Sequence, residues 1–398
     1  MRQTLEGIKV LDLSRMPPGD FCTMYLGDMG AEVVRVEAPP AAGARARGFS
    51  LRQRSEESGR EETFYALNRN KKSIAINLKE GPGLKVLYRL AQWADVMVEG
   101  FRPGVAKRLG IDYDSIKELN PSIVYCSISG YGQDGPYREL PGHDANYLSI
   151  AGVLGLIGVP DGAPILPLNL VADYAGGSLH AVIGILAALL ARQSTGRGQY
   201  VDISIADGAL SLLTAAVSRY LATGVIPQRG KSLLNGIQPC YSVYQTKDQG
   251  YISIGCIEPW FWETLCRYAG REDFVPHQLD EGEKREEIRQ FFRHFFLTRT
   301  RDEWFDLLCD KEIPVAKVHD LDEALTDPQM LHRQMAVELK HPEYGTVKQV
   351  GIAIKFSDTP GQIRSLAPVQ GQHTEEILHD LGYPAQEIAQ MCSSGIVV

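Results

Sequence analysis

Residues 8–37 read IKVLDLSRMPPGDFCTMYLGDMGAEVVRVE, and this stretch decides the fold. IKVLDLS (8–14) is a β-rich apolar run, FCTMYLGDMG (21–30) has helical spacing and ends in Gly30, and AEVVRVE (31–37) is a second β-rich run. Strand, helix and strand in this order make one unit of a parallel sheet. Further strands are predicted at SIAINL (73–78), DVMVEG (95–100) and SIVYCSISG (122–130), with helical segments GPGLKVLYRLAQW (81–93) and GVAKRLG (104–110) between them. The first third is therefore a doubly wound α/β domain.

Beyond Leu166 the pattern changes. An apolar helix is predicted near 174–192, followed by a strand, a turn and another helix through 224. YSVYQTKDQGYISIGC (241–256) reads as a hairpin around Asp248-Gln249-Gly250, and 258–335 as mostly short charged helices. Residues 225–335 are expected to form a smaller α+β domain. The β-rich HPEYGTVKQVGIAIKFS (341–357) is expected to return to the first domain, which then spans 1–224 and 336–398. A polar, Arg-rich loop covers 41–62.

The chain has 398 residues, 44% of them hydrophobic and 23% charged, enough for a large core and two domains. Its formal net charge of -8 argues against a general nucleic-acid binder, which needs a basic surface. The N-terminus lacks a secretory pattern, and no apolar run approaches the roughly 20 residues of a membrane span, so a cytoplasmic protein is expected. Seven scattered cysteines without a CxxC pair fit reduced thiols, and no metal site is expected.

A nucleotide is the usual ligand of a strand–helix–strand unit. Here the first loop, SRMPPGDFC (14–22), lacks GxGxxG, so a pyrophosphate has no close seat and a nicotinamide or flavin is disfavoured. Basic residues cluster instead at Arg35, in NRNKKS (68–73) and in FRPGVAKR (101–108), and together they suggest a local seat for a phosphorylated small molecule.

LEGIKVLDLS, GDMGAEVVRVE, NRNKKSIAINL, DVMVEGFRPGVAKRLG, YCSISGYGQDGP, GHDANY, LNLVADYAGG, RQSTGRGQYVDISIADG and HPEYGTV resemble the class III coenzyme A-transferase (CaiB/BaiF) family, which also contains the α-methylacyl-CoA racemases. The resemblance covers nearly the whole chain. It implies coenzyme A as part of the substrate with no prosthetic group, a Rossmann-like large domain built from both chain ends, and an interlocked homodimer. By resemblance, Arg35, Lys71, Arg102 and Arg108 receive the nucleotide phosphates, with Leu67, Asn68 and Phe101 beside the adenine and pantetheine. Residues 38–62 form a longer insertion than the racemases usually carry.

The resemblance leaves two chemistries open, both centred on Asp173. In the transferases this carboxylate attacks the thioester and passes coenzyme A to a carboxylic acid acceptor. In the racemases it is one of two bases at carbon α, because one carboxylate cannot readily serve both faces. GHDANY supplies His143 as the second base, with Asp144 holding the loop and Glu258 of CIEPWFW matching the glutamate that orients the histidine. Asp173 is also expected at a helix start, where free N–H groups favour a carboxylate or a developing oxyanion. The aromatic residues Tyr241, Tyr244, Trp260 and Trp262 fit either a bulky acyl pocket or aromatic core packing.

Overall fold

The structure is a computed structural model that describes residues 2–39 and 65–398; the Arg-rich insertion, from residue 40 on, lies outside them. The chain forms two compact units. The first takes Met1–Ala151, Leu168–Leu213 and Pro328–Val398, and the second takes Gly152–Pro167 and Thr214–Asp327. The second unit thus includes 152–167 and 214–224, which sequence patterning had grouped with the first.

Six parallel strands form the sheet of the first unit: β1 (Lys9–Asp12), β2 (Glu32–Glu37), β3 (Lys71–Ala75), β4 (Val96–Glu99), β5 (Val124–Ser129) and β6 (Tyr200–Ser204). Their order is β3-β2-β1-β4-β5-β6, so the sheet reverses its winding between β1 and β4. Such a reversal leaves a crevice at the carboxyl ends of the two strands, where open α/β sheets bind ligands.

Alternation along each strand sorts its side chains between two faces. Leu11, Val34, Ile74, Met97 and Tyr125 point to one apolar core, shared with Val86, Leu87 and Leu90 of the helix Gly81–Trp93. Leu378, Ile388, Met391 and Val397 join the same core, so the C-terminus completes the domain that the N-terminus begins. Ile76 also bridges to Val397 in antiparallel fashion. The opposite face is covered by the helix Pro17–Asp28 and carries charge, since Asp12 pairs in register with Arg35 and Arg35 with Ser73. A two-stranded hairpin, Ala336–His341 with Gly345–Val350, belongs to this unit.

The apolar helix expected near 174–192 is longer than its pattern suggests. Leu170–Leu179 wind as a π-helix that continues into the α-helix His180–Thr195. By length and composition alone, Leu170–Thr195 could cross a membrane, which differs from the expectation that no run would qualify. The run is interrupted in sequence by Asp173, Ser178 and His180, so a count of consecutive apolar residues misses it.

In the second unit Tyr241–Gln245, Tyr251–Gly255 and Val315–Lys317 form an antiparallel sheet. Its hairpin turns at Gln249, which adopts φ 65°. The helices pack Trp262, Phe274, Phe292, Phe296 and Trp304 into an aromatic core. Tyr244 and Trp262 are 2% and 1% exposed and belong to that core. The Tyr244 hydroxyl donates to the Pro239 carbonyl and the Trp262 indole N–H to the Phe274 carbonyl, so of the two readings these rings take core packing.

Candidate active site

Asp173 lies in the first turn of the π-helical segment, a wide winding that is rare and tends to mark functional positions. Leu168, just before it, has φ 56°, a left-handed conformation costing a branched residue about 1–2 kcal/mol. The turn leaves Asn169 beside the carboxylate: its Nδ2 donates to Asp173 Oδ2 at 3.3 Å. Close packing holds the segment from behind, since a Cβ on Gly208 would come within 1.9 Å of the Gly176 carbonyl oxygen. Only glycine permits that approach.

Asp144 fixes the same turn from a second helix, Asp144–Ile150. Its Oδ2 accepts the backbone N–H of Ala172 at 3.0 Å and of Asp173 at 2.9 Å. Two of the donors expected to be free for a carboxylate or an oxyanion, those of Ala172 and Asp173, are therefore taken up by Asp144. Its other oxygen, Oδ1, is buried without a hydrogen-bond partner among the described residues. Burial raises the Asp144 carboxyl above its ordinary range, and the two backbone bonds oppose the rise.

His143 immediately precedes that helix, and its backbone N–H donates to Asn146 Oδ1 at 3.1 Å. Tyr147 packs so tightly below that a Cβ on Gly142 would meet its ring at 2.7 Å and one on Gly130 at 2.3 Å. Asp173, His143 and Asp144 therefore converge on one place. Burial is the main reason the Asp173 carboxyl is pushed up to about 6; Asn169 and the nearby His143 draw it down, and Asp144 adds to the rise. Glu258 lies in the second unit, where it directly precedes the helix Pro259–Tyr268.

At the winding reversal lies a cavity of about 220 Å³, lined by Leu13 and Arg15 after β1, Glu37 and Ala38 at the end of β2, Leu78 after β3, and Phe101 after β4. The Arg15 guanidinium stands 5.2 Å from the centre of the Phe101 ring, a cation–π contact that sequence patterning did not single out. Arg102 and Arg108 are exposed, and Leu67 is half-buried in the turn Ala66–Asn68.

Arg35 and Lys71 are placed otherwise than expected. Both are buried on the charged face of the sheet. Lys71 Nζ is 3.1 Å from Asp12 and 3.3 Å from Asn68 Oδ1, while Arg35 pairs with Asp20 and donates to Asn68 Oδ1 at 2.7 Å. Burial draws the Arg35 guanidinium down, but Asp20, Asp12 and Glu37 more than offset this and hold it firmly charged. Glu37 in turn accepts the Ser73 hydroxyl at 2.5 Å. Taken up by carboxylates, the two cations are paired on the charged face of the sheet and do not line the cavity as an open phosphate seat. Sequence alone could not show this, because the neutralising Asp12 and Asp20 are distant from Lys71 along the chain.

Residues 5–374 match CoA-transferase family III. The chain belongs to that family. Two human proteins of different activity are similar to it over the same length. Succinyl-CoA:glutarate CoA-transferase is 33% identical over 400 residues, spanning 99% of this chain and 90% of that protein. Alpha-methylacyl-CoA racemase is 33% identical over 394 residues, spanning 99% of this chain and 97% of that protein. Among solved structures, a CAIB/BAIF family protein from Brucella suis superposes with a TM-score of 0.81 at 28% identity, covering 96% of this chain and all of that one. This family III member is thus an enzyme, and its relatives include both transferases and a racemase.

Proposed function

We propose that this chain racemises 2-methylacyl-CoA thioesters, with Asp173 and His143 exchanging the α-proton from opposite faces of the substrate. The observation that carries this reading is the Asp173 carboxyl, half-buried, pushed up to about 6 and set beside His143. A carboxyl at that level is ionised at neutral pH yet a stronger base than a solvated one, which suits abstraction of a weakly acidic proton. One base takes the α-proton, the electron pair moves into the thioester as a planar enolate, and the other base returns a proton to the opposite face. Asp144 keeps the Asp173 backbone still by holding two consecutive N–H groups.

The nucleotide end of the thioester is assigned to the cavity at the β1 and β4 ends. Arg15, Arg102 and Arg108 would meet its phosphates, with Phe101 and Leu67 against its apolar parts. A homodimer belongs to the same reading. Leu179, Ile183 and Leu190 are 36%, 64% and 67% exposed along one side of the apolar helix, a face that a second copy would cover.

The test is incubation with a 2-methylacyl-CoA of one configuration in deuterated water, followed by mass spectrometry and chiral analysis. Deuterium at carbon α and loss of configuration are expected, and His143→Ala should slow both by at least about a hundredfold. Absence of α-deuterium in the wild-type reaction would rule the reading out.

A second reading is favoured by the equal similarity to the human glutarate transferase. In that chemistry the Asp173 carboxylate attacks the thioester carbonyl, releasing the coenzyme A thiolate and leaving a mixed anhydride. The thiolate then attacks the aspartyl carbonyl, which frees the first acid and leaves an aspartyl thioester for the acceptor acid. Adding carboxylic acids to the same incubation separates the two, since only the transferase makes a new thioester and an adduct that hydroxylamine traps at Asp173.

A further inference from the structure

Glu99 closes β4 and is 2% exposed. Its Oε1 takes the hydrogen of the Ser127 hydroxyl, and its Oε2 accepts the backbone N–H of Phe101 at 2.7 Å. Ser127 is its register partner on β5. Among the described residues no cation lies within ion-pair range of it. A buried carboxyl without a cation needs a reason, because burial penalises its charged form.

The reason lies in what it holds. Phe101 and the following residues form the turn between β4 and the short helix Val105–Leu109, with Gly104 at φ 80°. That turn mounts the Phe101 ring on the cavity wall, sets the surface on which the Arg15 guanidinium rests, and carries Arg102. Glu99 holds the turn through the Phe101 N–H, so the carboxyl sets where the turn begins.

We propose that Glu99 is a positioning residue for the coenzyme A moiety: its buried carboxyl fixes the Phe101–Gly104 turn in the arrangement that receives the ligand's anionic end. This deepens the acyl-CoA reading and rests on it. The consequence is a proton linkage. The titratable groups that face Glu99 are Tyr125 and Cys126 on β5 and Tyr200 and Asp202 on β6, none of them a cation. Burial pushes Glu99 up to about 7, the Ser127 and Phe101 hydrogen bonds oppose the rise, and Asp202 adds to it. Protonated, Glu99 donates to Ser127 and still accepts from Phe101. Ionised, it sets a negative charge beneath a site for phosphates, so an anionic ligand binds better to the protonated form.

The test measures coenzyme A binding by calorimetry at pH 6 and pH 8, with kcat and KM on an active thioester. A glutamine at 99 keeps both hydrogen bonds and cannot ionise, whereas an alanine keeps neither. Relative to Glu99→Gln, the wild type should lose about fivefold more affinity between pH 6 and pH 8. Relative to Glu99→Gln, Glu99→Ala should weaken binding about tenfold at both pH values and raise KM with kcat nearly unchanged. If Glu99→Ala unfolds, the comparison with Glu99→Gln carries the test, and thermal melts of each variant decide which applies. Wild-type affinity in Glu99→Ala, or an undiminished pH dependence in Glu99→Gln, overturns the proposal. A wild type that binds no coenzyme A would instead overturn the acyl-CoA reading, and this inference with it.

Discussion

Replacing Asp173 with asparagine tests the electrostatics of the site apart from its chemistry. Folding moves this carboxyl from an ordinary 3.8 to about 6, chiefly by burial. The sign follows from linkage: the folded state holds the proton more tightly, so this group's contribution to stability is full below about pH 4 and is lost as pH rises through about 6. At about 1.36 kcal/mol per pH unit, ionising Asp173 in the fold costs about 3 kcal/mol at pH 8 and roughly half that at pH 5. Asparagine is nearly isosteric and carries no charge. Asp173→Asn should therefore unfold at higher urea concentration than the wild type at pH 8, with an advantage roughly half as large at pH 5. Urea titrations of both proteins at the two pH values measure this directly. A variant that is destabilised at pH 8, or whose advantage does not change with pH, would refute the claim that burial raises this carboxyl. The same variant should show no α-proton exchange at either pH, which links the destabilising group to the reaction.

Asp144→Ala removes the acceptor of two backbone N–H groups and should cost about 1–3 kcal/mol in urea unfolding, with Asp144→Asn recovering part because it keeps one oxygen. Arg15→Ala should weaken coenzyme A binding about tenfold in calorimetry while leaving the thermal midpoint unchanged, since the side chain is exposed. Placing glutamate at both Ile183 and Leu190 should convert the protein to monomer in sedimentation velocity if a second copy covers that face; an unchanged sedimentation coefficient would count against it.

The parallel sheet was legible because its strands are short, apolar and separated by helical spacing, and burial on both faces demands that pattern. The stretch 8–37 alone implied β1, the covering helix and β2. Asp173, His143 and Asp144 were singled out by resemblance to the family's motifs, and their residue types alone would not have marked them. Which groups Asp144 holds was not legible, because a side-chain carboxylate that accepts N–H groups 28 and 29 residues away leaves no local signal.

The charged residues show the division most clearly. From sequence, Arg35 and Lys71 were cations near a sheet edge, and Glu99 was not singled out. Whether a cation is free or neutralised depends on which carboxylates the fold brings within about 4 Å, a range over which interaction energy changes steeply with distance and dielectric. Sheet register and the helix Pro17–Asp28 bring Asp12 and Asp20 to Lys71 and Arg35, and they leave Glu99 buried with hydrogen bonds alone. Sequence by itself determined the order of elements, the family and the candidate acids and bases. Only tertiary structure decided which of those charges remain available to a ligand, because burial and pairing are properties of residues far apart in the chain.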